Sequence, residues 1–158
     1  MLYAKADQNT LGYLGRALSL EMTAVQQYAT QATLVAAWGL TEDASKLQQE
    51  SLEEMGHVNR IIGRMLALGV APNASMLRPV KLGRDLRELL IADAELEKDL
   101  VNLYMHAAHH CARNGDHDGR KFFEALLQEE QAHDVSLAEW IRSLEAPLTS
   151  TTDSRVTF

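Results

Sequence analysis

Four long segments with helical periodicity make up most of the sequence, and short runs of helix-breaking residues separate them. Gly39 closes the first segment, Gly69 the second and the pair Asn114-Gly115 the third. Within each segment the apolar residues recur every three or four positions, which is the period of an α-helix and not of a strand. Glycine is also the residue most often found just after a helix end. The sequence therefore predicts an all-α chain of four helices.

The lengths of the connections predict how these helices are arranged. The segments run from about Asn9 to Trp38, from Thr41 to Leu68, from Arg84 to Arg113, and from Asp116 or Asp118 to Leu144. The first and third connections are short, so the helices that they join must be antiparallel. The middle connection, VAPNASMLRPVKLG (70–83), can extend over roughly 46 Å, about the length of a helix of this size. We therefore expect a four-helix bundle with one long crossover, in which helices two and three point the same way.

Length, composition and charge narrow the class of protein. A chain of 158 residues, with 46% hydrophobic and 23% charged residues, is typical of a single globular domain. A net charge of −7 disfavours nucleic-acid binding, which needs a basic face. We find neither a membrane-spanning apolar run nor a signal peptide, so the expected compartment is the cytoplasm. Cys111 is the single cysteine and cannot form an internal disulfide.

Ionisable residues interrupt the apolar stripe of every segment near its middle. They are Glu21, Glu54, His57, Glu97, Glu130 and His133. A buried carboxylate without a partner is costly and normally takes up a proton instead. Four glutamates and two histidines on inner faces therefore need a shared cation.

The spacing of these residues reveals an internal repeat. The interval from Glu21 to Glu97 equals that from Glu54 to Glu130, so the second half of the chain repeats the ligand pattern of the first. We call this interval the repeat interval. Glu54 and Glu130 each begin a Glu-x-x-His motif, whose spacing places both side chains on one helix face.

This combination of residues is typical of one class of metal site. Single glutamates from two helices, together with Glu-x-x-His from the other two, form the ligand set of di-iron and di-manganese carboxylate proteins. Oxygen ligands with two imidazoles suit iron or manganese, whereas a thiolate-rich set would suit zinc. The sequence therefore predicts a dinuclear iron or manganese site at the middle of the bundle.

Around these residues the sequence resembles the bacterioferritins, the haem-containing branch of the ferritins. The resemblance covers roughly residues 5–145 and rests on the pattern Glu21…Tyr28…Trp38-Gly39-Leu40…Glu50…Glu54-Met55-x-His57…Asp93…Glu97…Glu130-x-x-His133. It implies that the six residues of the repeat are the iron ligands of a ferroxidase centre within the subunit, with Glu54 and Glu130 bridging two irons. It also implies a homo-oligomer built from twofold dimers, in the form of a closed cage of about 24 subunits.

The resemblance implies roles for residues beside the centre as well. Tyr28 resembles the family's inner tyrosine, placed to hydrogen-bond a ligand and to supply an electron. Glu50 and Glu53 resemble positions near the iron route from the centre to the cavity. Where family members can have a histidine beside that acid, this sequence has Gln49.

Met55 is the residue that the resemblance connects with haem. It follows Glu54 directly, so its side chain lies about 100° around the helix from the metal-facing stripe. Bacterioferritins bind haem at a twofold interface between two such methionines, one from each chain. Neighbouring positions on that outer face are Met22, Gln26, Ala29 and Leu52. The resemblance thus implies haem b at a twofold subunit interface and a ferredoxin-type electron donor.

The end of the chain departs from the family. Ferritins usually close with a short fifth helix, whereas Pro147 and the run of serines and threonines after it disfavour a helix. We therefore expect a ferritin-like di-iron bundle over residues 1–146, no fifth helix, and a flexible tail over residues 147–158.

The sequence leaves three functions open. The first is a ferroxidase and iron-storage subunit, which oxidises Fe²⁺ with O₂ or H₂O₂ and stores Fe³⁺ in a cage. The second is a di-iron peroxidase or oxidase that stores no iron; such enzymes often carry a Cys-x-x-Cys domain, which a single cysteine cannot supply. The third is a haem-carrying structural subunit of a mixed cage, which has no need of six buried ionisable residues. The resemblance favours the first.

Overall fold

The structure, a computed structural model, describes residues 6–74 and 76–145. Within them the chain forms four helices: Gln8–Ala37 (α1), Thr41–Ala67 (α2), Leu86–Arg113 (α3) and His117–Glu145 (α4). These bounds agree closely with the four periodic segments. The predicted tail, and with it the expected absence of a fifth helix, lies outside the described residues.

The helix ends have identifiable local causes. Gly39, Gly69 and Gly115 follow the first three helices with φ of 83°, 74° and 70°, a left-handed conformation that glycine adopts without a Cβ clash. Asp7 and Asp85 precede α1 and α3, and each carboxylate accepts a hydrogen bond from a backbone N–H in the first turn of its helix. Such caps satisfy backbone donors that the first helical turn leaves free.

Contacts between helix ends give the direction of each helix. Asp7, just before α1, pairs with His110 near the end of α3, and Arg87 at the start of α3 pairs with Glu145 at the end of α4. Both of these helix pairs are therefore antiparallel. A short turn (38–40) makes α1 and α2 antiparallel as well. It follows that α2 and α3 point the same way, which confirms the predicted bundle with one long crossover.

The crossover follows the surface of α1. The backbone N–H of Arg78 donates to Oγ1 of Thr23 at 3.2 Å, and that of Lys81 donates to Oε1 of Gln27 at 3.4 Å. Thr23 and Gln27 are buried, so these bonds attach the connection to the interior of the bundle. Ion pairs of the same two basic residues with α3 are exposed and contribute little to stability.

The interior is apolar except at the middle of the bundle. Fully buried aliphatic side chains line it: Leu14, Leu47, Ile61, Leu89, Leu100 and Leu126. Buried ionisable residues replace them at mid-helix: Glu21, Glu54, His57, Asp93, Glu97 and Glu130. None of the helices in the described part of the chain is long and apolar enough to cross a membrane.

Candidate metal centre

The structure brings the six residues of the internal repeat together at the middle of the bundle. Their possible ligand atoms form two overlapping groups, each within 4.8 Å: Glu21, Glu54, His57 and Glu130, and Glu54, Glu97, Glu130 and His133. Glu54 and Glu130 belong to both groups. We call Glu21 with His57 the Glu21 half of the centre, and Glu97 with His133 the Glu97 half. The arrangement can hold two cations side by side, with the shared glutamates between them.

Most of the atoms that face the centre are buried and unpartnered. All four glutamates are at most 1% exposed. The buried atoms without a hydrogen-bond partner in the described protein include both oxygens of Glu54 and Glu130, Oε2 of Glu21 and of Glu97, and Nδ1 of His57 and His133. An unsatisfied buried polar atom costs about 1–3 kcal/mol, and native proteins contain few of them. Their concentration at one place fits a pair of bound metal ions.

The geometry around the histidines supports this conclusion. Nδ1 of His57 lies 2.7 Å from Glu130 and 2.9 Å from Glu54, and Nδ1 of His133 lies 3.3 Å from Glu54. Neither Nδ1 atom makes an aligned hydrogen bond at these distances. In the metal-free protein the contacts are therefore ion pairs between imidazolium and carboxylate groups. The side chains are thus directed at common points between them, as the ligands of a cation are.

Two further carboxylates orient the histidines from outside the centre. Nε2 of His57 lies 2.8 Å from Glu129, and Nε2 of His133 lies 2.9 Å from Glu53. A carboxylate at Nε2 favours the proton on that nitrogen and leaves the Nδ1 lone pair for a metal. This role was not predicted, although a glutamate directly precedes each Glu-x-x-His and the repeat interval relates Glu53 to Glu129.

Two buried tyrosines contact the outer glutamates. The Tyr28 hydroxyl donates to Oε1 of Glu97 at 2.5 Å, and the Tyr104 hydroxyl donates to Oε1 of Glu21. Tyr28 was expected beside the centre, whereas Tyr104 was not. A signal for it was present in the sequence, because the repeat interval relates Tyr28 to Tyr104 as it relates Glu21 to Glu97.

Electrostatics divide the four glutamates into two kinds. Burial, together with the neighbouring carboxylates, raises the pKa of Glu21 and of Glu97 well above the ordinary 4.5. Burial acts on Glu54 and Glu130 in the same direction, but the adjacent histidines outweigh it and lower both pKa values. The outer glutamates are therefore the more readily protonated of the four, whereas the shared ones are ionised at neutral pH.

The histidines complete the charge balance. Burial disfavours their charged forms, yet the surrounding carboxylates prevail, raising the pKa of His133 to about 11 and that of His57 well above 6.5. Two imidazolium and two carboxylate charges then cancel. Divalent ions that displace protons from the histidines and from the outer glutamates limit the change in the total charge of this buried region, and so limit the large cost of burying net charge.

Glu50 lies at the open side of the centre. Its Oε2 is 3.9 Å from Nδ1 of His133, and the two residues form a third group of possible ligands with Glu53. A cavity of about 230 Å³, also lined by Tyr28 and Gln49, lies against them. Glu50 and Gln49 therefore line an opening beside the Glu97 half, and the part of Glu50 and Glu53 in an iron route stays a prediction.

Met55 lies away from the centre, on the outside of α2. Its side chain is 37% exposed, and that of Leu52, one turn before it, is 57% exposed. The expected neighbours on α1 are accessible too: Gln26 is exposed, and Met22 and Ala29 are half-buried. An exposed thioether with apolar neighbours is a fitting donor for a haem iron.

Comparison with known proteins agrees with this picture. Residues 11–146 match the family model of the ferritin-like domain. The bacterioferritin of Rhodobacter capsulatus is 40% identical over 129 residues, which cover 82% of this chain and 80% of that protein. The bacterioferritin of Brucella melitensis is 33% identical over the same shares.

Solved structures give the same result. The Rhodobacter capsulatus bacterioferritin superposes with a TM-score of 0.86 at 38% identity, over 89% of this chain and 88% of that one. That structure is described as having a metal-free dinuclear site and a haem iron in a crystallographic special position. The Mycobacterium tuberculosis bacterioferritin BfrA superposes with a TM-score of 0.85 at 28% identity, over 89% of each chain.

The bundle with its paired carboxylate and histidine ligands defines a ferritin-like protein of the dinuclear class. The chain belongs to the ferritin-like family and, within it, to the bacterioferritins.

Proposed function

We propose that this chain is a ferroxidase and iron-storage subunit of an oligomeric cage in the cytoplasm. It oxidises Fe²⁺ with O₂ or H₂O₂ and deposits Fe³⁺ in the cavity of the cage. The observation that carries the proposal is the cluster of buried, unpartnered carboxylate and imidazole atoms that converge on two adjacent points.

The ligand arrangement explains how the substrate ions would be handled. One Fe²⁺ binds in each half, and Glu54 and Glu130 join the two halves. Each ion gives up one electron, so the pair together supplies the two electrons that reduce O₂ to H₂O₂ or H₂O₂ to water. Holding both ions at bridging distance permits this transfer in a single encounter with the oxidant.

The same arrangement gives the product a way out. Glu50 is half-buried and Glu53 is exposed. Both approach His133 of the Glu97 half, Glu50 at 3.9 Å from Nδ1 and Glu53 at 2.9 Å from Nε2. Fe³⁺ prefers oxygen ligands, so this pair of carboxylates forms a step toward the cavity. Gln49, which donates a hydrogen bond to Glu53 at 3.2 Å, is a weaker metal donor than histidine and limits iron retention at this surface.

Removal of ligands tests the ferroxidase proposal. In Glu54→Ala and His57→Ala proteins, steady-state oxidation of Fe²⁺ should fall toward the uncatalysed rate. Glu139→Gln, a change at an exposed position of α4, serves as the control and should oxidise iron like the wild type. Oxidation that is unchanged in both ligand variants contradicts the proposal.

Iron content after aerobic loading tests the storage proposal. A storing cage takes up many more irons per chain than its centres can hold, and its native mass is that of a large oligomer. Saturation at two irons per chain favours the non-storing oxidase instead. A homomeric protein without any ferroxidase activity favours the structural subunit of a mixed cage.

We also propose that Met55 from each of two chains holds one haem b at a twofold interface. The haem supplies a one-electron carrier, and a ferredoxin-type protein is the expected donor. The exposure of Met55 and Leu52 on the outside of α2 supports this assignment.

A further inference from the structure

Tyr104 has a counterpart in the other half of the centre, Tyr28. Tyr28 on α1 donates to Glu97 on α3, and Tyr104 on α3 donates to Glu21 on α1. Each tyrosine thus bonds the outer glutamate of the facing helix. The exchange is reciprocal because the internal repeat includes the tyrosines as well as the ligands.

The contacts of Glu21 show what this bond does. Oε1 of Glu21 accepts from the Tyr104 hydroxyl, whereas Oε2 is buried without a hydrogen-bond partner. Oε1 also lies 3.3 Å from Nδ1 of His57. A hydroxyl bonded to this oxygen holds the carboxylate plane and leaves the remaining lone pairs of the carboxylate for a cation. A rotation that turns Glu21 away from the metal costs this buried hydrogen bond.

The ring of Tyr104 is held firmly enough to perform this role. It is completely buried, and its centroid lies 6.2 Å from that of Phe123. Phe123 in turn packs edge-on against Tyr13 at 6.5 Å. Aromatic packing of this kind fixes a ring within a narrow range of orientations.

We propose that Tyr104 is a positioning residue for the Glu21 half of the centre, where its hydroxyl fixes the orientation of the Glu21 carboxylate beside His57. The inference rests on the proposed function, because it assumes that the centre binds two ions. Tyr104 then has the same role as Tyr28, and each half has one tyrosine that holds its outer glutamate.

Cobalt titration of the assembled full-length protein tests the inference without relying on catalysis. Co²⁺ resists oxidation by O₂ in carboxylate sites and reports its binding through its visible absorption. The wild type should bind two Co²⁺ per chain. Tyr104→Phe should weaken one of the two by about 10–100-fold, the usual effect of losing a partner outside the ligand shell.

Tyr28→Phe is the matched control. It removes the same hydroxyl from the other half, so it should weaken one site to a similar extent, and the double variant should weaken both. Tyr13→Phe, which loses a hydroxyl from the same aromatic row but outside the centre, should leave both sites unchanged. The thermal unfolding of each metal-free variant checks that the fold persists.

The outcomes separate this inference from the proposed function. A wild type that fails to bind two Co²⁺ contradicts the proposed function. A wild type that binds two, together with a Tyr104→Phe protein that binds both with wild-type affinity, overturns the inference alone. If Tyr104→Phe does not assemble, Tyr104→Met carries the same expectation, because methionine fills the space adaptably and has no donor.

Discussion

The two halves of the centre share one pattern of ligands but differ in what surrounds them. In the Glu21 half, the side chain of His57 is 4% exposed, and Nη1 of Arg60 donates to both oxygens of its outer partner Glu129, at 2.7 and 2.8 Å. In the Glu97 half, the side chain of His133 is 14% exposed, and its outer partner Glu53 accepts one bond from a neutral amide. A guanidinium bonded to both oxygens holds a carboxylate more firmly than an amide does.

The repeat therefore accounts for the proposed metal ligands of both halves, whereas residues outside the repeat account for how firmly those ligands are held. The residue one repeat interval after Arg60 is Ser136. Its short, neutral side chain cannot donate to both oxygens of a carboxylate as the guanidinium of Arg60 does. The Glu97 half also borders the cavity beside Glu50. We therefore expect the Glu21 half to bind metal more tightly, and the Glu97 half to exchange it more readily.

The largest expected effect on the centre comes from pH, and it should be equal in the two halves. Each half holds one proton on its histidine, because the neighbouring carboxylates raise the pKa of both imidazoles far above neutral pH. The raised pKa of the outer glutamates acts in the same direction. A metal that displaces the histidine proton gains affinity by roughly 10-fold per pH unit, and by more where the outer glutamate also loses a proton. Co²⁺ titrations between pH 6 and 8 in weakly binding buffers measure this slope, and a slope near zero in either half contradicts the proton count.

The same pKa shifts give the metal-free protein the opposite dependence. A group with a raised pKa in the folded state stabilises the fold most when it is protonated in both states. For His133 this contribution is complete below its ordinary pKa of 6.5 and is lost as the pH rises through about 11. The melting temperature of the metal-free protein should therefore decline from pH 7 to pH 9, while the gain from added metal grows. A gain that is constant over this range contradicts the assignment.

The next effect isolates the difference between the halves. Arg60→Ser gives Glu129 the surroundings that the repeat provides at position 136. We expect the tighter Co²⁺ site to weaken by about 10-fold, so that the two stepwise affinities approach each other. Ser136→Ala, a change at the equivalent position of the other half, should leave both affinities unchanged. If the two stepwise affinities of Arg60→Ser remain as far apart as those of the wild type, the role assigned to Arg60 is contradicted.

The sequence was sufficient for the helices and for the six residues that meet at the middle of the bundle, and the reason is physical. Helical periodicity and glycines after helix ends are local signals, and the repeat interval made Glu21 and Glu97 recognisable as a pair from the sequence alone. Tyr104 and Glu129 obey the same interval and were still missed, because a tyrosine on an apolar stripe or a second adjacent glutamate is ordinary in isolation. Their roles depend on which atoms meet across helices, and the sequence does not display that. The contribution of Arg60 has no repeat partner at all and could be found only from the geometry.

Met55→Leu is the variant from which we expect the smallest effect on the metal affinities of the two halves. Met55 is exposed on the outside of α2, whereas Glu54 beside it is buried in the centre, so a change at Met55 should not reach either half. Leucine preserves the volume and the apolar contact, so the dimer should persist. We expect both Co²⁺ affinities and the rate of iron oxidation to match the wild type, while the haem spectrum, and with it one haem per two chains, is lost. Retention of the original haem spectrum excludes Met55 as the ligand, and a change in either Co²⁺ affinity shows that the outer face and the centre are coupled.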